Sequence, residues 1–131
     1  MNIVSSRNTK YSKAVQDAVY TKGHATNAEL LLALAVDFPD VSSTTIHRST
    51  ARLQERGLLA LAPPANDGSM RYDANTVPHD HFICNNCGGL RDIDIADSVV
   101  PLISEALGGC KITGRLVIHG SCEKCLTGDP R

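Results

Sequence analysis

Between residues 79 and 87 the chain reads HDHFICNNC, two histidines, an aspartate and two cysteines in nine positions. Imidazole, carboxylate and thiolate are the side chains that bind transition ions. A second pair, Cys122 and Cys125, repeats the C-x-x-C spacing of Cys84 and Cys87. Each such turn presents two thiolates to one tetrahedral ion, and two turns supply four sulfurs at about 2.3 Å and close its shell. A closed shell implies a structural Zn2+ held by Cys84, Cys87, Cys122 and Cys125. A rubredoxin-like iron and a redox disulfide pair are the alternatives. Cys110 lies outside both pairs, precedes an apolar stretch and is expected to be a small core residue.

His79 and His81 are two apart, so on a strand both point to one face. Cys84 stands at odd spacing from them, which lets the cysteine and histidine sets face apart. Asp92 follows Cys87 by five residues, on the next predicted strand, within reach of the histidines. Such an N/O set suits Fe(II), Mn(II) or Zn(II). The plain alternative is a pair of surface histidines on a polar strand. By position alone, His24 and Asp73 read as loop polar residues and His119 as a solvated strand residue. Asp94 and Asp97 are expected to cap or complement a helix N-terminus.

These residues need elements to hold them. The spacing of Ala14, Val15, Ala18 and Val19 predicts a helix over 10–21. Thr26 with Glu29 three residues on is a capping box opening a second helix, which Pro39 ends. Ser42 or Ser43 caps a third, closed by Gly57. LLALA at 58–62 and SMRYDA at 69–74 read as strands around the turn signal Pro63-Pro64-Ala65-Asn66-Asp67-Gly68. Helix, helix, turn, helix and hairpin is the order of a winged helix-turn-helix. Beyond it, HDHFIC and LRDIDI read as strands, DSVVPLISEALGG as a helix and KITGRLVIHG as a strand. The expected fold is α+β, a winged helix-turn-helix over 1–75 followed by a small α/β domain over 76–131.

The chain has 131 residues and a net charge of −1. The charge argues neither for nor against nucleic acid, so any basic surface must be local. The longest apolar run falls short of the ~20 residues that cross a bilayer, and the N-terminus lacks an apolar signal core. A cytoplasmic protein without a membrane partner is expected, in a compartment that keeps thiols reduced and favours metal over disulfides.

The local basic surface is on the third helix. Ile46, Thr50 and Leu53 fall on one side with Gly57. Arg48, Arg52 and Arg56, each four apart, fall on the opposite side with Thr45 beside them. Guanidinium and hydroxyl groups on an exposed helix suit phosphates and guanine edges. Lys10 and Lys13 are placed to add phosphate contacts. An ordinary solvated face, with Glu55 pairing locally, is the alternative.

The motif H-x-H-F-x-C-x-x-C-G-x-x-x-D, from His79 to Asp92, followed by G-x-C-x-x-C from Gly120 to Cys125, resembles the ferric uptake regulator superfamily of metal-dependent repressors. RNTKYSKAVQDAV is similar to that family's opening helix, VSSTTIHRSTARLQERGLL to its recognition helix and SMRYD to its wing. The resemblance implies a homodimer that represses transcription by binding double-stranded operator DNA, with a C-terminal α/β dimerisation domain and no enzymatic activity. It places the structural zinc on the four paired cysteines and a regulatory Fe2+ or Mn2+ on His24, Asp73, His79, His81 and Asp92. The set is most similar to the peroxide-sensing branch, because the last ligand is Asp92 where iron-uptake regulators tend to carry glutamate. In that branch peroxide oxidises a ligand histidine, with His24 and His79 the matching candidates, and the protein leaves DNA. Two departures stand in the recognition helix: His47 replaces a tyrosine that often touches DNA, and Thr50 replaces a leucine and is expected to weaken the packing face. Rival readings are an iron- or manganese-uptake regulator without peroxide sensing, a small zinc enzyme and a zinc-ribbon interaction module.

Overall fold

The computed structural model describes residues 3–128, with side chains from residue 10 onward, and divides them into two compact units meeting at Thr76 and Val77. In the first, three helices, α1 (Ile3–Lys22), α2 (Asn27–Ala35) and α3 (Ser43–Glu55), pack beside a small antiparallel sheet. Its strands are β1 (His24–Thr26), β2 (Ala60–Ala62) and β3 (Arg71–Asp73), in the order β1-β3-β2. Val15 and Val19 of α1, Leu30 and Leu34 of α2, and Ile46 and Leu53 of α3 form one buried cluster with Ala25, Leu59 and Tyr72. That is a winged helix-turn-helix, with β2 and β3 as the wing.

The predicted start signals operate as hydrogen bonds. Thr26 Oγ1 accepts from the Glu29 amide while Glu29 Oε1 accepts from the Thr26 amide, completing the capping box. Ser42, rather than Ser43, caps α3 by accepting from the Thr45 amide. Gly57 follows α3 at φ +75°, a left-handed turn that glycine takes without a Cβ penalty. Strand β1 had no signal in the sequence: three residues long, it is stabilised by pairing with β3 and not by its own propensity.

In the second unit β4 (Asp80–Cys84) is central, antiparallel to β5 (Leu90–Ile93) and parallel to β6 (Val117–Gly120). Helix α4 (Ala96–Ala106) makes the crossover, and a short α5 (Glu123–Thr127) grows from the second cysteine turn. Three expectations need correction. KITGRLVIHG is a strand only from Val117, because the pairing begins at His81 opposite Val117 and β4 offers residues 110–116 no partner beyond Asp80. Cys110 is exposed, its Sγ donating to the Leu107 carbonyl, because the segment it opens leaves the sheet. The expectation for Asp94 and Asp97 holds in part: neither caps α4, whose N-cap is Ile95 with no side-chain cap bond, so Asp94 falls outside the helix, while Asp97 lies in its first turn and complements the N-terminus.

The residue that organises this end of the unit is Asp80. Buried on β4, its Oδ1 accepts from the Leu116 amide at 2.9 Å, and its carboxylate also takes bonds from the Ile95 and Ala96 amides at the start of α4. The Leu116 bond leads in holding its acid strength above that of an ordinary carboxylate.

Replacing Thr26 with alanine should cost the first unit about 1 kcal/mol, read as a lower denaturation midpoint at unchanged slope. Asp80→Ala should speed hydrogen exchange at the Leu116 amide roughly tenfold while leaving α1–α3 protected.

Candidate metal centres and nucleic-acid face

Four sulfurs converge in the second unit. Cys84 ends β4, Cys87 follows in the turn to β5, and Cys122 and Cys125 lie at the start of α5. The Sγ atoms of Cys84 and Cys125 are 3.7 Å apart and those of Cys87 and Cys122 3.9 Å, with all four inside 4.8 Å. Thiolates at about 2.3 Å from a tetrahedral ion would stand about 3.8 Å from one another. Disulfide sulfurs would be about 2.05 Å apart. The donor set therefore fits a tetrahedral ion and not a pair of disulfides. Backbone amides tune it. Cys84 accepts from the amides of Cys87 and Cys122, which pull its thiol down to about 6. Cys122 is lowered by the Cys125 amide. Contact with Cys122 pushes Cys125 up to about 12, since a cluster of thiols without a cation resists its last deprotonations. Arg91 grips Glu123 with both terminal nitrogens and holds that carboxyl down at about 2, tying β5 to α5 beside the sulfurs.

A second convergence lies on the same sheet. His81 and Asp92 are directly opposed across β4 and β5. Asp92 Oδ1 is 3.2 Å from His81 Nε2 and 3.1 Å from His79 Nε2, and the two imidazoles are 4.4 Å apart at their centroids. His79 Nδ1 meets the Val77 carbonyl at 2.7 Å. A carbonyl can only accept, so the proton of a neutral His79 sits on Nδ1 and its Nε2 lone pair faces the Asp92 carboxylate. Two acceptors turned toward each other require a cation or a proton between them. Orientation of a ligand imidazole through its other nitrogen is how metal histidines are held. His81 is buried and Asp92 is half exposed.

In the first unit His24 and Asp73 are cross-strand partners of β1 and β3. His24 Nε2 is 3.3 Å from Asp73 Oδ2, while Asp73 Oδ1 accepts from the Asn75 amide at 2.9 Å. Asp73 is 2% exposed, too buried for an ordinary loop aspartate. His24 is not in a loop but opens a strand, which the sequence did not signal.

The third set is the outer face of α3. Ile46, Ser49, Thr50 and Leu53 are buried, while His47, Arg48, Arg52 and Arg56 are exposed. Thr45 is half buried, its hydroxyl 3.1 Å from Ser42 Oγ. Lys13 pairs with Asp17 at 3.5 Å, and Lys10 Nζ lies 5.0 Å from the centre of the Phe38 ring. Thr50 keeps its place in the packing face. Its side chain is fully buried and its hydroxyl donates to Asn27 Oδ1 at 2.9 Å, so the polar atom is satisfied within the packing face. Asn27, which the sequence gave no reason to single out, also reaches His47 Nδ1 at 3.2 Å.

The family model described as the ferric uptake regulator family matches residues 5–112. The peroxide operon regulator of Bacillus subtilis is 32% identical over 109 residues, 82% of this chain and 74% of its own. The peroxide-responsive repressor PerR of Staphylococcus saprophyticus is 32% identical over 104 residues, 78% of this chain and 70% of its own. In fold, the chain matches the Helicobacter pylori ferric uptake regulator, described as having three functional metal binding sites, with a TM-score of 0.73 at 17% identity, over 92% of this chain and 83% of that one. It matches the Campylobacter jejuni peroxide stress regulator with a TM-score of 0.69 at 21% identity, over 95% and 100%. Zinc, iron and manganese figure among the ligands of such relatives, in keeping with the two donor clusters found here. The chain belongs to the ferric uptake regulator family of metal-responsive transcription regulators.

Proposed function

We propose that this protein is a cytoplasmic metal-dependent repressor that binds operator DNA as a homodimer and responds to peroxide through a bound Fe(II) or Mn(II). The observation that carries the proposal is the convergence of His79 Nε2 and His81 Nε2 on one carboxylate oxygen of Asp92. Three protein donors leave a transition-ion shell incomplete. His24 and Asp73 form a second partial set on the winged-helix unit. One regulatory ion drawing on all five residues would tie the orientation of the DNA-reading unit to metal supply. Metal shifts that orientation only by its differential affinity for the closed form, and operator DNA tightens metal binding by the same factor. Cys84, Cys87, Cys122 and Cys125 hold a separate structural zinc.

DNA reading falls to α3, with Arg48 and Arg52 near its middle and Arg56 and Thr45 at its ends. Lys10 and Lys13 lie on α1 as sources of phosphate contacts. Dimerisation falls to the second unit. No residue of α4 is buried, and Leu102, Leu107, Val117 and Ile118 are exposed, an apolar surface suited to a second copy of the same unit. The relatives named for peroxide favour the peroxide reading, as does the carboxylate of Asp92. A bound Fe(II) would supply the electrons that activate hydrogen peroxide, and the imidazole of His24 or His79 would take up one oxygen atom while the other leaves as water.

Three outcomes test this reading. Arg48→Ala/Arg52→Ala should weaken operator binding by roughly 10- to 100-fold at constant salt, with the thermal midpoint kept. Unchanged affinity would remove α3 from DNA. Stripping zinc under reducing conditions, or Cys84→Ser, should raise hydrogen exchange throughout β4, β5 and β6 while α1–α3 stay protected. Anaerobic Fe(II) protein exposed to peroxide should lose operator affinity and gain one oxygen atom on the peptide carrying His24 or His79. If mass and affinity both stay constant, the uptake-regulator reading replaces the peroxide one.

A further inference from the structure

The two positions at which α3 departs from the family pattern, His47 and Thr50, are joined by a residue on another helix. Asn27 opens α2, directly after the Thr26 cap. Its amide lies between the buried Thr50 hydroxyl, 2.9 Å from Oδ1, and the exposed His47 ring, 3.2 Å from Nδ2 to Nδ1. The Thr50 hydroxyl also lies 3.2 Å from the Ile46 and His47 carbonyls, so the Asn27 contact is its shortest. A hydroxyl has one proton to give, and spending it on Asn27 turns the amide oxygen inward and the amide NH2 outward. The outward NH2 donates to His47 Nδ1. That nitrogen is then the acceptor, and the ring proton sits on Nε2, at the exposed end of the imidazole.

Resting on the reading of α3 as the DNA-contacting helix, we propose that Asn27 is a positioning residue that fixes the ring and tautomer of His47, making Nε2–H a base-reading donor. His47 stands in the N-terminal half of α3, and N-terminal residues of a recognition helix are those that reach base edges. A single donor selects bases that present an acceptor in the major groove. Guanine offers two, N7 and O6, whereas cytosine offers only its amino group. The helix therefore reads one strand position against cytosine, with guanine, adenine and thymine all offering an acceptor. Thr50 takes part from inside the core, because its hydroxyl donates to the amide oxygen and so favours the orientation that turns the NH2 toward His47. A leucine at Thr50 would leave that end undetermined, and the two departures work as one unit with Asn27.

The test is selection of binding sites from a randomised double-stranded DNA library by full-length metal-loaded protein. The variants are His47→Ala, Asn27→Ala, the double substitution and Thr50→Val, with a thermal midpoint for each. Wild type should enrich a motif with one position at which cytosine is depleted about tenfold or more relative to the acceptor-bearing bases. His47→Ala and Asn27→Ala should each flatten that position and leave the others, and Asn27→Ala should change nothing further in the His47→Ala background. Thr50→Val should weaken the same position. A merely structural Asn27 would lower the midpoint in both backgrounds without flattening one base position. If wild type enriches a motif that His47→Ala or Asn27→Ala leaves intact, the inference is overturned and the repressor reading stands. If wild type enriches no sequence at all, the repressor reading fails and takes the inference with it.

Discussion

The second unit depends on four sulfur atoms. Its buried apolar residues among those described are Ile83, Cys84 and Cys122, and two of the three are themselves thiols. A sheet of three short strands with an unburied crossover helix cannot bury enough apolar area to offset the entropy of ordering some fifty residues. The first unit has what the second lacks, a cluster drawn from three helices and the sheet. The chain thus combines two kinds of unit, one built on an apolar cluster and one in which four convergent sulfurs stand where an apolar core is small.

The same economy shapes the nitrogen and oxygen donors. His24 faces Asp73, and His81 faces Asp92, in each case as direct partners across an antiparallel pair. Opposed residues on one face keep their Cβ atoms about 5 Å apart, near enough for an imidazole and a carboxylate to meet without special loop geometry. His79 is the exception. It precedes β4, and the Val77 carbonyl sets its ring where pairing cannot. Ligand geometry here is largely a product of strand register, and a one-residue slip would turn the donors to the opposite face.

Register also explains what the sequence revealed and what it withheld. The cysteine spacing, the capping box at Thr26 and the two faces of α3 were legible because each rests on separations along the chain of two to four residues. The place of His24 was not, since β1 is three residues long and exists through its pairing with β3; Asp73 fell on an expected strand, but its facing His24 was not visible. The early end of the last strand was hidden for a related reason: apolar alternation marks residues able to pair but does not say how far the partner extends. Cys110 follows from that error. Asp80 was counted only with the possible metal ligands of its segment, because nothing in a sequence marks a carboxylate that will meet three amides from distant segments. Asn27 was obscured in the same way, being a good first-turn residue whose second use is visible only in three dimensions.

The shortness of the path from His24 to Asn27 has a consequence for how such a chain can vary. Ala25 and Thr26 are all that separate the two. Ala25 is buried, and Thr26 is locked by both bonds of the capping box. No slack exists there, so gaining or losing one residue would rotate the helix start against the strand and uncouple everything anchored on either side. The wing tip from Pro63 to Met70 is an exposed turn whose bonds, Ala65 to Ser69 and Asp67 to Ser69 among them, stay within the turn or reach only its own strand. Among descendants of this sequence, length should vary more readily at the wing than in these four positions, whatever residues come to fill them.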